Sequence, residues 1–170
     1  MKSAEVIIVG GGPAGSSCAW SLKRQGVDCL VLDKETFPRT KLCAGWITPE
    51  VVEDLEMDIA SYPHRFLSLK KLHFHFPMIG LSPPTLQHSI RRYEFDAWLL
   101  ERSAAPVDTH KVQTIRQQGE EYIIDERYRC RYLIGAGGTR CPVYRELFRQ
   151  LSPRAGKKQV VALEEEFPYD

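Results

Sequence analysis

Three glycines in the pattern Gly10-x-Gly12-x-x-Gly15 stand between a run of β-branched apolar residues and a stretch of helical periodicity. No other feature limits the fold as much, because a strand must end in a tight turn there and a helix must begin from it. Residues 5–9 (EVIIV) are wholly apolar after the first and read as a central parallel strand. Over residues 14–25 the small or apolar Ala14, Cys18, Ala19 and Leu22 recur at spacings of three and four. Lys23, Arg24 and Gly26 supply a cationic last turn and a stop. Residues 29–32 (CLVL) form a second buried strand ending at Asp33, so residues 5–33 make one β-α-β unit. Gly10 permits the tight turn, Gly12 keeps a Cβ out of the path of a pyrophosphate, and Gly15 lets the helix pack closely on the strand. The helix N-terminus offers N–H groups and a partial positive charge to phosphates, and Asp33 is placed to accept hydrogen bonds from the hydroxyls of an adenosine ribose. The pattern predicts dinucleotide binding without choosing between nicotinamide and flavin.

Beyond residue 33 the reading is coarser. The stretch 34–46 is basic and irregular; Thr48 as N-cap with Pro49 after it starts a short helix to Leu55, with Val51, Val52 and Leu55 on its apolar side. Residues 65–76 alternate partially and are expected to be strands broken by a register change, with residues 60–90 leading toward a substrate side. A second helix is expected over residues 93–103, packed through Phe95, Leu99 and Leu100. Three strands follow at 111–116, 122–125 and 131–134, the first two joined around Gln118-Gly119 and the last running into Gly135-Ala136-Gly137-Gly138. A further strand is expected at 160–163, then an acidic run at 164–166 read as a solvated edge.

The formal net charge of +1 offers no electrostatic case for nucleic acid or an anionic membrane, and no apolar stretch approaches the ~20 residues of a membrane span. A cytoplasmic protein is the default. Cys18, Cys29, Cys43, Cys130 and Cys141 are scattered, with no C-x-x-C pair, and read as reduced thiols mostly packed inside. His73 and His75 share a face if their segment is a strand, but no third ligand stands at a metal spacing, so no metal is assigned.

Four motifs, VGGGPAGS at 9–16, LDKETFPRTKLCAGW at 32–46, RRYEFDAWL at 91–99 and YLIGAGGTRCPV at 132–143, carry a family resemblance. From residue 6 to 143 the chain resembles the p-hydroxybenzoate hydroxylase superfamily of flavoproteins, and within it most closely the geranylgeranyl reductases. The resemblance implies an α/β, Rossmann-like FAD/NAD(P)-binding domain with a parallel central sheet and an antiparallel β-meander crossover. It implies that Gly10, Gly12, Pro13, Ala14 and Gly15 hold the pyrophosphate of FAD, that Asp33 holds the adenine ribose with Lys34 beside it, and that the backbone near Val112 meets the adenine. Lys41 and the segment Cys43-Ala44-Gly45 would run beside the isoalloxazine ring, Arg92 would help bind FAD, and Gly135 would join the cofactor site. Arg92 can equally be a solvated charge at a helix start, and Gly135 to Gly138 simply a turn. Cys43 is the candidate catalytic residue, a proton donor or a switch on substrate entry, set against an inert buried cysteine. Gly137 stands where the related hydroxylases carry an aspartate, which weighs against hydroxylation.

The resemblance therefore implies an FAD-dependent oxidoreductase that reduces carbon-carbon double bonds of an isoprenoid or other hydrophobic substrate, with NAD(P)H or another reductant as electron donor. An FAD-dependent monooxygenase and a truncated, catalytically inactive FAD-binding domain are the alternatives. Residues 1–150 are expected to form the FAD-binding domain and 151–170 the start of a truncated substrate domain. The expected partner is a hydrophobic small molecule, with peripheral membrane contact through a lipid substrate and no nucleic acid; no oligomeric state is read.

Overall fold

The computed structural model describes residues 1–152 together with Leu163 and Glu165. The strand expected at 160–163, the acidic run at 164–166 and the domain expected to begin at 151 fall largely outside those residues. In chain order the elements are β1 (Lys2–Val9), α1 (Pro13–Arg24), β2 (Cys29–Asp33), β3 (Trp46–Ile47), α2 (Pro49–Asp54), β4 (Leu67–Lys71), β5 (Phe74–His75), β6 (Gly80–Leu81) and β7 (Pro84–Ser89). They continue with α3 (Arg92–Arg102), β8 (Val107–Thr109), β9 (Ile115–Gln118), β10 (Glu121–Ile124) and β11 (Tyr128–Gly135). A 3-10 turn at Gly138–Arg140 and a π turn at Tyr144–Phe148 follow. Residues 1–39 and 96–152 form one compact unit and residues 40–95 another.

The first unit is a six-stranded sheet in the order β8-β2-β1-β11-β10-β9. β1 lies parallel to both β2 and β11, and β8 continues the parallel set beyond β2. Its second half is apolar on both sides for this reason: Ile7 and Val9 enter one core with Leu30, Leu32 and Val143, while Val6 and Ile8 enter another with Val31, Ala19 of α1 and Leu100 of α3. Past α1, Gly26 adopts φ +75° and lets the Val27 N–H return to the Leu22 carbonyl at 3.0 Å, which stops the helix where the glycine was expected to. β9, β10 and β11 form the antiparallel meander, with Gly119 at φ +63° in the turn between paired Gln118 and Glu121. The architecture is the α/β fold with a mostly parallel central sheet.

The strand expected at 111–116 is not formed as such. The chain makes the short parallel β8 instead, leaves the sheet at His110 and re-enters it at Ile115. The Asp125 carboxylate takes the N–H groups of Gln113 (3.0 Å) and Thr114 (2.7 Å), so those amides bond a side chain rather than a neighbouring strand.

The second unit holds an antiparallel sheet in the order β3-β7-β4 and the separate hairpin β5-β6. A register shift between Leu69 and Lys71 breaks the alternating stretch, as the pattern suggested. His73 falls in the gap between β4 and β5 rather than in a strand with His75, and its Nδ1 meets the Ser82 hydroxyl at 2.8 Å. In α2, Thr48 takes the N-cap position, but its hydroxyl does not cap the helix amides; it bonds the Glu50 carboxyl and draws that pKa down. Tyr62 packs edge-on against Phe66 and Phe95 within this unit, whose small core also holds Leu55, His88 and Ile90. Among the described residues no helix is long and apolar enough to cross a membrane.

Candidate functional site

The C-terminal ends of β1, β2 and β11 meet around the first turn of the chain. Gly10, at φ +113°, donates its N–H to the Leu32 carbonyl (2.8 Å), and Ala136 donates to the Val9 carbonyl (2.8 Å), so three strands close on one crook. A Cβ on Gly15 would fall on the Gly10 carbonyl oxygen, which makes glycine obligatory where helix meets strand. The fully buried Ser16 hydroxyl donates to the Gly11 carbonyl at 2.8 Å and fixes the turn from below. α1 begins with Gly12 as N-cap and no side-chain capping bond; Gly12 and Pro13 are half-buried and Ala14 is exposed. Its first-turn N–H groups are left for an anion or water.

Asp33 is buried and aimed into this crook. One carboxylate oxygen accepts the Gly11 N–H at 2.6 Å and the other the Glu35 N–H at 2.9 Å. The clasp holds the loop and orients lone pairs toward whatever hydroxyls approach. Lys34 beside it is exposed and stands 3.6 Å from Glu35.

Arg39 was missed in the sequence. Its guanidinium lies 3.4 Å from where a Cβ on Gly12 would sit and over the Phe37 ring at 4.7 Å, and the side chain is only 16% exposed. Its partner, 3.6 Å away, is the Asp96 carboxylate, 0% exposed. A guanidinium has the fork geometry to meet phosphate oxygens, and here a buried carboxylate holds it beside a glycine-lined crook. The FPRTK stretch gave no signal for this except its basic character.

The next segment of the same unit is also tied to the crook. His110 donates its N–H to the Asp33 carbonyl at 2.7 Å, and its ring Nε2 bonds Asp125 at 2.7 Å. Burial pushes the Asp125 pKa up, but the Thr114 N–H, the His110 ring, the Gln113 N–H and the Thr114 hydroxyl outweigh it and leave the carboxyl below its ordinary value. The Val112 side chain is buried in the core, so at that position only the backbone can face a ligand. On the β11 side a cavity of about 510 Å³ is lined by Ala14, Gly135, Ala136 and Thr139 among others. Gly135 is needed there for packing, since a Cβ would press on Val143 and Cys141.

Within the first unit, then, Gly10, Gly12, Pro13, Ala14, Gly15, Asp33, Lys34, Val112 and Gly135 are all present around the sheet's carboxyl edge. Lys41, Cys43, Ala44, Gly45 and Arg92 belong to the second unit. There Gly45, at φ +66°, packs on the Ile90 carbonyl and accepts the Ile90 N–H at 2.9 Å as the chain enters β3. Arg92 opens α3 and is half-buried. Cys43 is exposed rather than buried. Cys29, Cys130 and Cys141 are buried, and burial pushes the Cys130 thiol up to about 11.

A family model described as FAD dependent oxidoreductase matches residues 5–106. The chain is 37% identical over 152 residues to an uncharacterized protein of Methanosarcina barkeri, covering 82% of this chain and 38% of that one. It is 31% identical over 168 residues to a menaquinone reductase of Mycobacterium tuberculosis, covering 87% of this chain and 41% of the relative. To a geranylgeranyl diphosphate reductase of Rhodobacter capsulatus it is 40% identical, but over only 53 residues, 31% of this chain and 13% of the relative. The expected tie to geranylgeranyl reductases thus reduces to a short match within a broader family. Among solved structures, the halogenase PltM in complex with phloroglucinol and FAD superposes with a TM-score of 0.66 at 19% identity, over 84% of this chain and 36% of that one. The chain spans about two fifths of the length of the curated relatives first matched.

Proposed function

Because the chain belongs to the FAD-dependent oxidoreductase family, we propose that it is the FAD-holding part of a reductase whose substrate is a hydrophobic, isoprenoid-type molecule with a reducible carbon-carbon double bond. The observation that carries the reading is the clasp of Asp33 on the Gly11 N–H at the mouth of a glycine crook that a guanidinium flanks. That donor set fits the cofactor: open N–H groups and Arg39 for a diphosphate, a braced carboxylate for a ribose. FAD, when bound, supplies the hydride chemistry. The chain's residues supply the rest. Asp33 orients the sugar, α1 and Arg39 neutralise the phosphates, and the backbone of residues 111–113 lies beside the base. Cys43, exposed on the second unit, holds a transferable proton at its Sγ for the substrate carbon.

Likeness to a menaquinone reductase supports a reductase with a lipid-like substrate over the other chemistries of the family. Gly137, where related hydroxylases place an aspartate, weighs the same way. In this reading residues 1–150 belong to the cofactor-binding part and the chain from 151 opens the substrate part, with NAD(P)H or another reductant as donor and the cytoplasm as the location.

Reconstitution with FAD followed by anaerobic reoxidation of the reduced flavin tests the proposal. A prenylated substrate is expected to reoxidise the flavin, and Cys43→Ala to slow that step without weakening FAD binding. Reoxidation by oxygen alone, with a hydroxylated product, would contradict it.

A further inference from the structure

The near-zero net charge of the chain hides a strong local asymmetry. From residue 59 to residue 93 there is no aspartate or glutamate, yet Arg65, Lys70, Lys71, Arg91, Arg92 and four of the five histidines lie there. The same stretch carries the largest apolar exposure of the second unit: Phe76 is 57%, Ile79 62% and Met78 90% exposed. Single exposed apolar residues are ordinary, but a cluster beside a basic one is not.

The backbone explains how these residues come to one place. Phe74 pairs with Leu81 and His75 with Gly80, and the Phe76 and Ile79 backbones exchange hydrogen bonds of 3.0 and 3.3 Å. Side chains alternate between the faces of a paired ribbon. Phe74, Phe76, Ile79 and Leu81 therefore line one face of the hairpin, with Pro77 and Met78 at the tip. The tip is closed on itself and Pro77 has no N–H, so few backbone donors would be stranded by entering an apolar medium. At the base, Lys71 pairs with Pro84 and the Leu72 N–H bonds the Pro83 carbonyl at 3.2 Å, which makes the hairpin an extension of the β4-β7 pair. Lys70 and Lys71 are both exposed at that base.

We propose that the β5-β6 hairpin docks the protein on an anionic lipid surface, its Phe76–Ile79 tip entering the acyl boundary while Lys70 and Lys71 meet the headgroups. The dimensions agree. Phe76 stands five positions beyond Lys71, at most about 17 Å at ~3.3 Å per residue, against a headgroup layer of roughly 5–8 Å and an insertion depth of about 5–10 Å. Charge decides the occupant: Arg65, Lys70 and Lys71 are exposed in a stretch with no acidic side chain, which is complementary to an anionic bilayer. None of these residues belongs to the glycine crook.

Co-sedimentation of the chain with vesicles tests it, using phosphatidylcholine mixed with phosphatidylglycerol and, separately, phosphatidylcholine alone. The expected result is binding to the mixed vesicles that falls more than about tenfold in Met78→Asp/Ile79→Asp, and by roughly fivefold per lysine in Lys70→Glu/Lys71→Glu and on omitting the anionic lipid. As these side chains are exposed, the substitutions leave the fold intact. Absence of binding to the mixed vesicles, or binding that both variants retain, overturns the proposal. So does a wild-type dimer that ignores vesicles and is made monomeric by Met78→Asp/Ile79→Asp, since a second copy would then cover the face.

Discussion

Arg39 and Asp96 show how one ion pair can serve a ligand. Asp96 is fully buried, and an isolated charge there would cost several kcal/mol; the guanidinium offsets that through Nη2, 3.6 Å away, and the same nitrogen lies beside Gly12. Arg39→Gln is therefore expected to weaken FAD binding by on the order of tenfold or more, read from a flavin fluorescence titration. The double variant Arg39→Gln/Asp96→Asn removes both charges of the pair and separates the two roles. If Arg39 binds the diphosphate, affinity stays low while stability to urea recovers; recovery of both would show that Arg39 only neutralises Asp96. Nothing in FPRTK announced this pairing, because the stretch has no period and its partner is distant in sequence. Asp33 was legible because it ends an apolar strand after a glycine-marked β-α turn, and few positions meet that condition.

Among the elements, the segment between β8 and β9 depends most on one side chain. Asp125 accepts hydrogen bonds from the His110 ring, the Gln113 and Thr114 N–H groups and the Thr114 hydroxyl, and its own N–H bonds the Thr114 carbonyl at 3.2 Å. Asp125→Ala is expected to cost on the order of 2–3 kcal/mol, measured as a lower urea midpoint. The folded pKa of Asp125 lies below the ordinary 3.8, so its contribution is present above that value and is lost as pH falls through the folded pKa. The difference between wild type and Asp125→Ala should therefore persist at neutral pH and shrink below about pH 4; a constant difference down to pH 2 would contradict this.

The same side chain marks where sequence reading stopped. β1, α1, β2 and the meander follow from period, β-branching and glycine, all local signals. α3 was equally clear, with Phe95, Leu99 and Leu100 buried as its spacing implied. The stretch 111–116 looked like a strand by composition, and only a carboxylate from another turn makes it irregular. β8 is three residues long, too short to carry a pattern. Of the candidate site, the crook and Asp33 could be seen in advance, whereas Arg39, Ser16 and the His110–Asp125 tie could not, since each acts through a tertiary contact.

At the scale of the molecule, two units divide the expected site residues. The first contains the crook, Asp33, Arg39 and the segment around Val112; the second contains Cys43, Arg92 and the exposed hairpin. We propose that the first unit grips the adenosine diphosphate half of FAD, and everything proposed about reduction rests on that grip. Titration of the chain with FAD, with and without ADP as competitor, measures it directly. The expected result is saturable FAD binding that ADP displaces, with both ligands weakened at least about tenfold in Asp33→Asn. FAD binding that ADP leaves untouched, or that Asp33→Asn leaves unchanged, would contradict the account.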